Sequence, residues 1–265
     1  MTTTTVFDTP AGLGRDVADT ILAGLAGRTG DHYLVGFPAG RSAVPVVEAL
    51  VEQAHQRGVD VSALWVVMMD DYVEETPGGY RRIDPGLQHS CLGWAVRGIV
   101  EPLADLGFDP SHLLAPDPDD PTGITVTIRD LGGIDLFVLA SGQSDGHVAL
   151  NGPGTELDAP TRVVGLSEST RTDNLSTFPH LTRLDQVPRL GVTLGPADFV
   201  TLCRSVRMIV WGRHKQLAFS RLWATDDYDP DWPATVVHRC QDPVILADRT
   251  AAASSLPNPC DQATS

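Results

Sequence analysis

Four short polar clusters in this 265-residue chain carry side chains suited to acid–base and anion chemistry. Asp145-Gly-His147 sets a carboxylate and an imidazole on either side of a glycine. In that spacing the acid can fix the ring's tautomer and raise its basicity, although the same residues also read as a turn with a satisfied histidine. Asp70-Asp71 reads either as a solvated strand end or as a carboxylate base whose pKa is set by a partly desolvated cleft. Lys215 opens a predicted helix, where it is either a surface lysine or a cation that clamps an anion beside free N–H groups. Arg41 and Arg171 carry the same two readings. Gly40-Arg41-Ser42 lies in a tight loop between an apolar run and a helix, a geometry that aims backbone donors at an anion.

The elements that must position these clusters are apolar strands. Tyr33–Phe37, Val61–Met69, Asp135–Ala140 and Val206–Trp211 each run into one of the four clusters. Helical spacing is read over Arg15–Leu25, Ala43–Gln56, Leu87–Leu106 and Pro196–Arg204, and Gly212-Arg-His-Lys215 begins another helix running to Trp223. Further strands are expected at Thr161–Leu166, Gly191–Leu194 and Pro243–Ala247. Ile124–Leu131 alternates like a strand where a crossover would want a helix, and stays undecided. Glu74–Gly86 and Asp109–Gly123 read as loops, Ser167–Asn174 as a polar stretch and Met1–Pro10 as a frayed leader. The alternation predicts an α/β fold, a single domain over 1–250 with a mainly parallel sheet covered by helices on both faces, followed by a disordered tail at 251–265. In such a sheet the carboxyl ends of the parallel strands share one edge, so clusters distant in sequence can converge on one crevice.

Composition narrows the function classes. A formal net charge of −15 with no Lys/Arg block argues against a nucleic-acid surface. No apolar stretch approaches the roughly 18 residues of a membrane span, and no signal peptide is read at the N-terminus, so the expected address is the cytoplasm. Cys91, Cys203, Cys240 and Cys260 show no C-x-x-C spacing, so neither a metal site nor a disulfide framework is expected. The first strand is not followed by Gly-x-Gly-x-x-Gly, leaving a dinucleotide cofactor unsupported.

Taken together the motifs resemble one family. Asp145-Gly-His-Val-Ala-Leu-Asn151 with Pro153-Gly-Thr155 is similar to the signature loop of the glucosamine-6-phosphate deaminases, which share a fold with the 6-phosphogluconolactonases. Met69-Asp-Asp-Tyr-Val73 resembles that family's Met-Asp-Glu-Tyr-Val segment. Gly36–Ser42 resembles its phosphate loop, and Thr161-Arg162 with Ser169-Thr-Arg171, Asn174 and Phe178 its arginine-bearing stretch. Gly191–Gly195 and Val210–Lys215 resemble its last two motifs. The resemblance implies a fold of the ribose-5-phosphate isomerase and CoA transferase type, a small-molecule sugar-phosphate substrate and no cofactor. Relatives occur as monomers and as hexamers, so it also leaves a homo-oligomer open. Carried over by position, Asp70 would move a proton between C2 and C1, and His147, oriented by Asp145, would assist ring opening. Gly40, Arg41, Ser42, Arg171 and Lys215 would hold the phosphate.

Two departures qualify the resemblance. Where the deaminases carry a glutamate after the loop asparagine, this chain has Gly152, which cannot relay a proton. The phosphate loop, Thr-Gly-Gly-Thr or Thr-Gly-Ser-Thr in the family, is Ala39-Gly-Arg-Ser42 here. The readings are an isomerase or deaminase of an amino-sugar phosphate, a lactonase in which His147 activates water, or a diverged relative that senses a sugar phosphate or performs other amino-sugar chemistry.

Overall fold

Thr3–Phe7 (β1), a run of threonines and valine with β-branched side chains suited to a strand, begins the fold in the computed structural model, which describes residues 2–178, 180–253 and 255. The residues expected to fray are therefore paired, as an edge strand. Thr9 then caps helix α1 (Pro10–Gly27), its hydroxyl accepting from Gly12 N at 3.1 Å, with proline at the first helical position where no N–H is needed.

The chain continues through β2 (Tyr33–Phe37), α2 (Val44–Arg57) and β3 (Leu64–Met68). A hairpin follows, made of β4 (Asp70–Thr76) and β5 (Gly79–Arg82) around Pro77-Gly78. This corrects the loop reading of Glu74–Gly86: the charges are the exposed side chains of a two-stranded ribbon. Helix α3 (Cys91–Ala95), capped by Ser90, passes through a π turn at Val96–Val100 into α4 (Glu101–Leu103). Next come β6 (Leu113–Leu114), α5 (Gly123–Asp130), β7 (Leu136–Ala140) and β8 (Arg162–Gly165), and the undecided Ile124–Leu131 thus falls largely in a helix. Helix α6 (Glu168–Thr177) replaces the expected polar stretch. It is followed by β9 (Leu190–Thr193), α7 (Pro196–Leu202), β10 (Val206–Val210), α8 (Gln216–Trp223), β11 (Pro243–Asp248) and α9 (Arg249–Ala252). The expected tail at 251–265 starts inside α9 and otherwise falls almost wholly outside the described residues.

Seven strands form a parallel sheet in the order β1-β11-β10-β7-β2-β3-β6. Successive residues of a strand point to opposite faces, which explains why β7 is apolar throughout. Leu136 and Val138 join a core with Val17 and Ile21 of α1 and Leu50 of α2. Phe137 and Leu139 join the opposite core with Ile128, Phe199 and Phe219 of α5, α7 and α8. A second, antiparallel sheet, β5-β4-β9-β8, begins at Asp70, with only Met69 between it and the end of β3. Its own small core contains Tyr72, Leu150 and Phe178.

From β2 the chain winds outward to β3 and β6, whereas from β7 it winds the other way to β10 and β11. The winding direction therefore changes between β2 and β7, and a crevice opens at the carboxyl ends of strands flanking such a switch point.

Candidate active site

The loops after β2, β3, β7 and β10 meet in this crevice, around a cleft lined by Arg41, Ser42, Asp70, His147, Asp173 and Lys215 among others. Gly40 takes φ +84°, and a Cβ there would overlap the methyl of Thr177, so the loop after β2 can close against α6 only with glycine. Gly40 itself does not line the cleft; it sets the turn that places Arg41 and Ser42. The carbonyl of Ser42 accepts from Trp211 Nε1 at 2.9 Å, tying this loop to the end of β10.

Asp70 and its neighbour have different surroundings. Asp71 Oδ1 accepts from the backbone N–H groups of Tyr72 (2.8 Å) and Cys91 (2.9 Å), and its Oδ2 accepts from Leu92 N (3.1 Å) and Ser90 Oγ (3.2 Å). It is a buried cap for α3. Asp70 is also buried but faces the cleft, and burial pushes its carboxyl up to about 7. The Cys91 thiol and His147 oppose that rise and Asp71 adds to it. A carboxyl poised near neutrality is suited to accept a proton and return it within one turnover.

In the loop after β7, Gly146 takes φ +65° with its α-carbon against the Trp232 ring, so a side chain at this position would collide. Asp145 Oδ1 lies 2.7 Å from His147 Nδ1 and 3.1 Å from His147 N. Its Oδ2 accepts from Ser169 Oγ (2.9 Å) and Thr170 Oγ1 (2.7 Å). Burial alone would raise this carboxyl, but the imidazole and these donors outweigh burial and hold it well below the usual range. An ionised Asp145 requires Nδ1 to carry the proton, so the neutral ring offers its lone pair at Nε2.

Helix α6 presents Thr170, Asp173, Asn174 and Thr177 at the i, i+3, i+4, i+7 spacing of one helical face. The last three line the cleft, and Asn174 Nδ2 is buried with no hydrogen-bond partner among the described residues. Arg171 lies about 100° round the helix from Thr170. Its Nε and Nη2 donate to Val187 O at 3.3 and 3.0 Å, and Nη2 also to Leu184 O. It fastens the segment before β9 and does not line the cleft, so the phosphate role implied for it is set aside.

Lys215 is buried and donates to the carbonyl of Ser141. Burial lowers its ammonium to about 8, with Arg41 acting in the same direction and Asp173 and Asp145 opposing. His214 is depressed to about 4, first by burial and then by Arg41 and Lys215. The ring is therefore neutral at pH 7, leaving Arg41 and Lys215 as the cations of this wall.

Ligand atoms of Asp145, His147 and Asp173 lie within 4.8 Å of one another, as in a metal site. All four carboxylate oxygens, however, already accept from N–H or O–H donors. The set fits an orienting network for the histidine better than a metal centre. Sequence reasoning missed Asp173, Ser176 and Thr177, which the period of α6 would have exposed once the segment was read as a helix.

A parallel α/β sheet with a carboxyl and an imidazole, a buried lysine and a half-buried arginine at its switch point defines an α/β fold of the kind that carries enzyme sites. No family model matches the chain. It is 31% identical over 250 residues to the glucosamine-6-phosphate deaminase of Mycolicibacterium smegmatis, covering 93% of this chain and 90% of that protein. It is 30% identical over 232 residues to that of Exiguobacterium sp., covering 84% and 82%. The chain belongs to the glucosamine-6-phosphate deaminase family. The fold matches a solved monomeric glucosamine-6-phosphate deaminase with TM-score 0.80 at 21% identity, covering 95% of this chain and 99% of that one. It also matches the 6-phosphogluconolactonase of Trypanosoma cruzi with TM-score 0.71 at 15% identity, covering 97% and 98%. No helix among the described residues is long and apolar enough to cross a membrane.

Proposed function

We propose that this chain converts an amino-sugar phosphate such as glucosamine 6-phosphate to the ketose phosphate and ammonia. The observation that carries the reading is the pairing, in one cleft, of a buried carboxyl near neutrality at Asp70 with an imidazole whose Nδ1 is fixed by Asp145. His147 Nε2 moves the proton that opens the sugar ring. Asp70 then takes the proton from C2 of the open-chain aldehyde and returns it to C1. A proton passes from the amine to O1 as the C2–N bond becomes an imine, and water adds at C2 and releases ammonia, leaving the C2 ketone. Lys215, Arg41 and Ser42 hold the phosphate at the far end, and Asn174 Nδ2, without a partner among the described residues, is available to a sugar hydroxyl. Fixing both ends of the substrate turns proton transfer into a step between preset partners.

The test incubates purified protein with glucosamine 6-phosphate and its galacto epimer, measuring ammonia and ketose phosphate. Enzyme-dependent formation of both products from either sugar is expected. No product from either, with 6-phosphogluconolactone hydrolysed above its spontaneous rate, would replace the reading with a lactonase. Binding without turnover of any of the three would make the protein a sensor.

A further inference from the structure

Gly152 leaves the histidine loop one carboxylate short of the family pattern, and the structure brings a different carboxylate to the same imidazole. Asp173 is 4% exposed. Its Oδ2 accepts from Gln143 N (2.7 Å) and Ser144 N (3.0 Å), and its Oδ1 accepts from Ser144 Oγ (2.7 Å). The same Oδ2 stands 4.0 Å from His147 Nδ1. Space beside Gly152 is already used by hydroxyls: a Cβ there would lie 3.3 Å from Thr170 Oγ1 and 3.7 Å from Ser167 Oγ. Thr170 Oγ1, the nearer of these, already donates to Asp145 from α6, and one turn further along that helix Asp173 reaches the loop.

We infer that Asp173 is a positioning residue for the His147–Lys215 side of the site, bringing from α6 the second carboxylate that the loop after Asn151 lacks. Its three accepted hydrogen bonds fix the backbone between Ser141, which receives Lys215, and Asp145, which receives His147. Its charge also acts on Lys215, which is faced by Arg41 from the loop after β2, by Asp145 from the loop after β7 and by Asp173 from α6, with His214 beside it in the chain. A tether alone could be made by any acceptor, whereas a charge opposing Arg41 requires an anion.

The inference rests on the isomerase/deaminase reading for its kinetic arm, and a substrate-free measurement separates the two. Asp173→Asn keeps the shape and one acceptor but removes the charge. NMR titration of the Lys215 side chain without substrate should show its midpoint about one unit lower in the variant. At pH 7 kcat for ammonia release should fall about 100-fold, the scale of a misplaced reacting group, with KM changed by less than roughly threefold. Gly152→Glu should recover at least about tenfold of kcat in the Asp173→Asn background and change it less than about twofold in the wild type, where the role is filled. An unmoved Lys215 midpoint, or a wild-type gain of about tenfold or more from Gly152→Glu, overturns the inference. If Asp173→Asn does not fold, the single Gly152→Glu variant decides. Should the wild type release no ammonia, the proposed function fails, and the Lys215 titration then decides the inference by itself.

Discussion

At the scale of single residues, Asp70 sets function against stability. Its carboxyl is raised from 3.8 to about 7 in the fold. The native state therefore prefers the protonated form, and that contribution is complete below pH 4 and lost as pH rises through 7. A difference of this size corresponds to a few kcal/mol, roughly 4 at the upper limit. Asp70→Asn should consequently raise the Tm at pH 8, by roughly 5 °C or more, and leave it nearly unchanged at pH 4. Turnover in the same variant should fall by about 100-fold or more with KM little altered, since only the base is lost. Equal Tm gains at both pH values would show that charge burial is not the cause. Lys215, lowered to about 8, leads to a prediction about binding. Above pH 8 the ammonium deprotonates, so KM for a phosphate-bearing substrate should climb with pH by up to about tenfold per unit. In Lys215→Ala, KM should be high at all pH values and the climb absent. A wild-type KM that stays flat to pH 10 would remove Lys215 from the anion clamp.

At the scale of elements, α6 shows what the sequence made legible and what it concealed. The strands that feed the site could be read because parallel strands buried on both faces are apolar throughout, as in Leu136–Ala140. Their order in the sheet could not, because nothing in a strand's own residues names its neighbour. Asp70, Asp145, His147, Arg41, Ser42 and Lys215 were legible as polar groups just past strand ends, and all lie at the cleft or directly behind it. Helix α6 was concealed because its inner face is polar: Thr170, Asp173 and Asn174 are buried against the site instead of in an apolar core. Hydrophobic periodicity is silent for such a helix, and Arg171 was misplaced with it. The structure shows the helix capped by Ser167, whose hydroxyl accepts from Thr170 N at 3.1 Å. With so little apolar burial, α6 should depend on that cap more than most helices do. Ser167→Ala is expected to cost about 1 kcal/mol, seen as a Tm lower by roughly 2 °C. It should also lower kcat, because Thr170 and Asp173 move with the first turns. A Tm loss with kcat intact would mean that the site holds α6 in place, and not the reverse.

At the scale of the whole molecule, the cleft draws on strands at different distances from the β1 edge of one sheet, so its two functions should separate when that edge is perturbed. Asp70 and His147 follow β3 and β7, five and three strands from the β1 edge, whereas Lys215 follows β10, two strands from it. Strand β1 covers β11 over five paired residues, from Thr3 with Val244 to Phe7 with Asp248, and Asp8 pairs with Arg249. Asp248, at the end of β11, accepts from Gly212 N at 2.8 Å and so holds the turn that presents Lys215. Removing residues 2–8 should therefore act along the path β1, β11, Asp248, Gly212, Lys215. We expect a lower Tm, self-association through the newly exposed edge of β11, and a KM raised several-fold with kcat within roughly twofold, because binding energy is lost without displacing the base. Sedimentation velocity, thermal unfolding and steady-state kinetics on the truncated chain measure these three effects separately. If kcat fell as far as KM rose while the chain stayed folded and monomeric, the anion clamp and the proton-transfer pair would be one cooperative unit, and the division by strand position would be wrong.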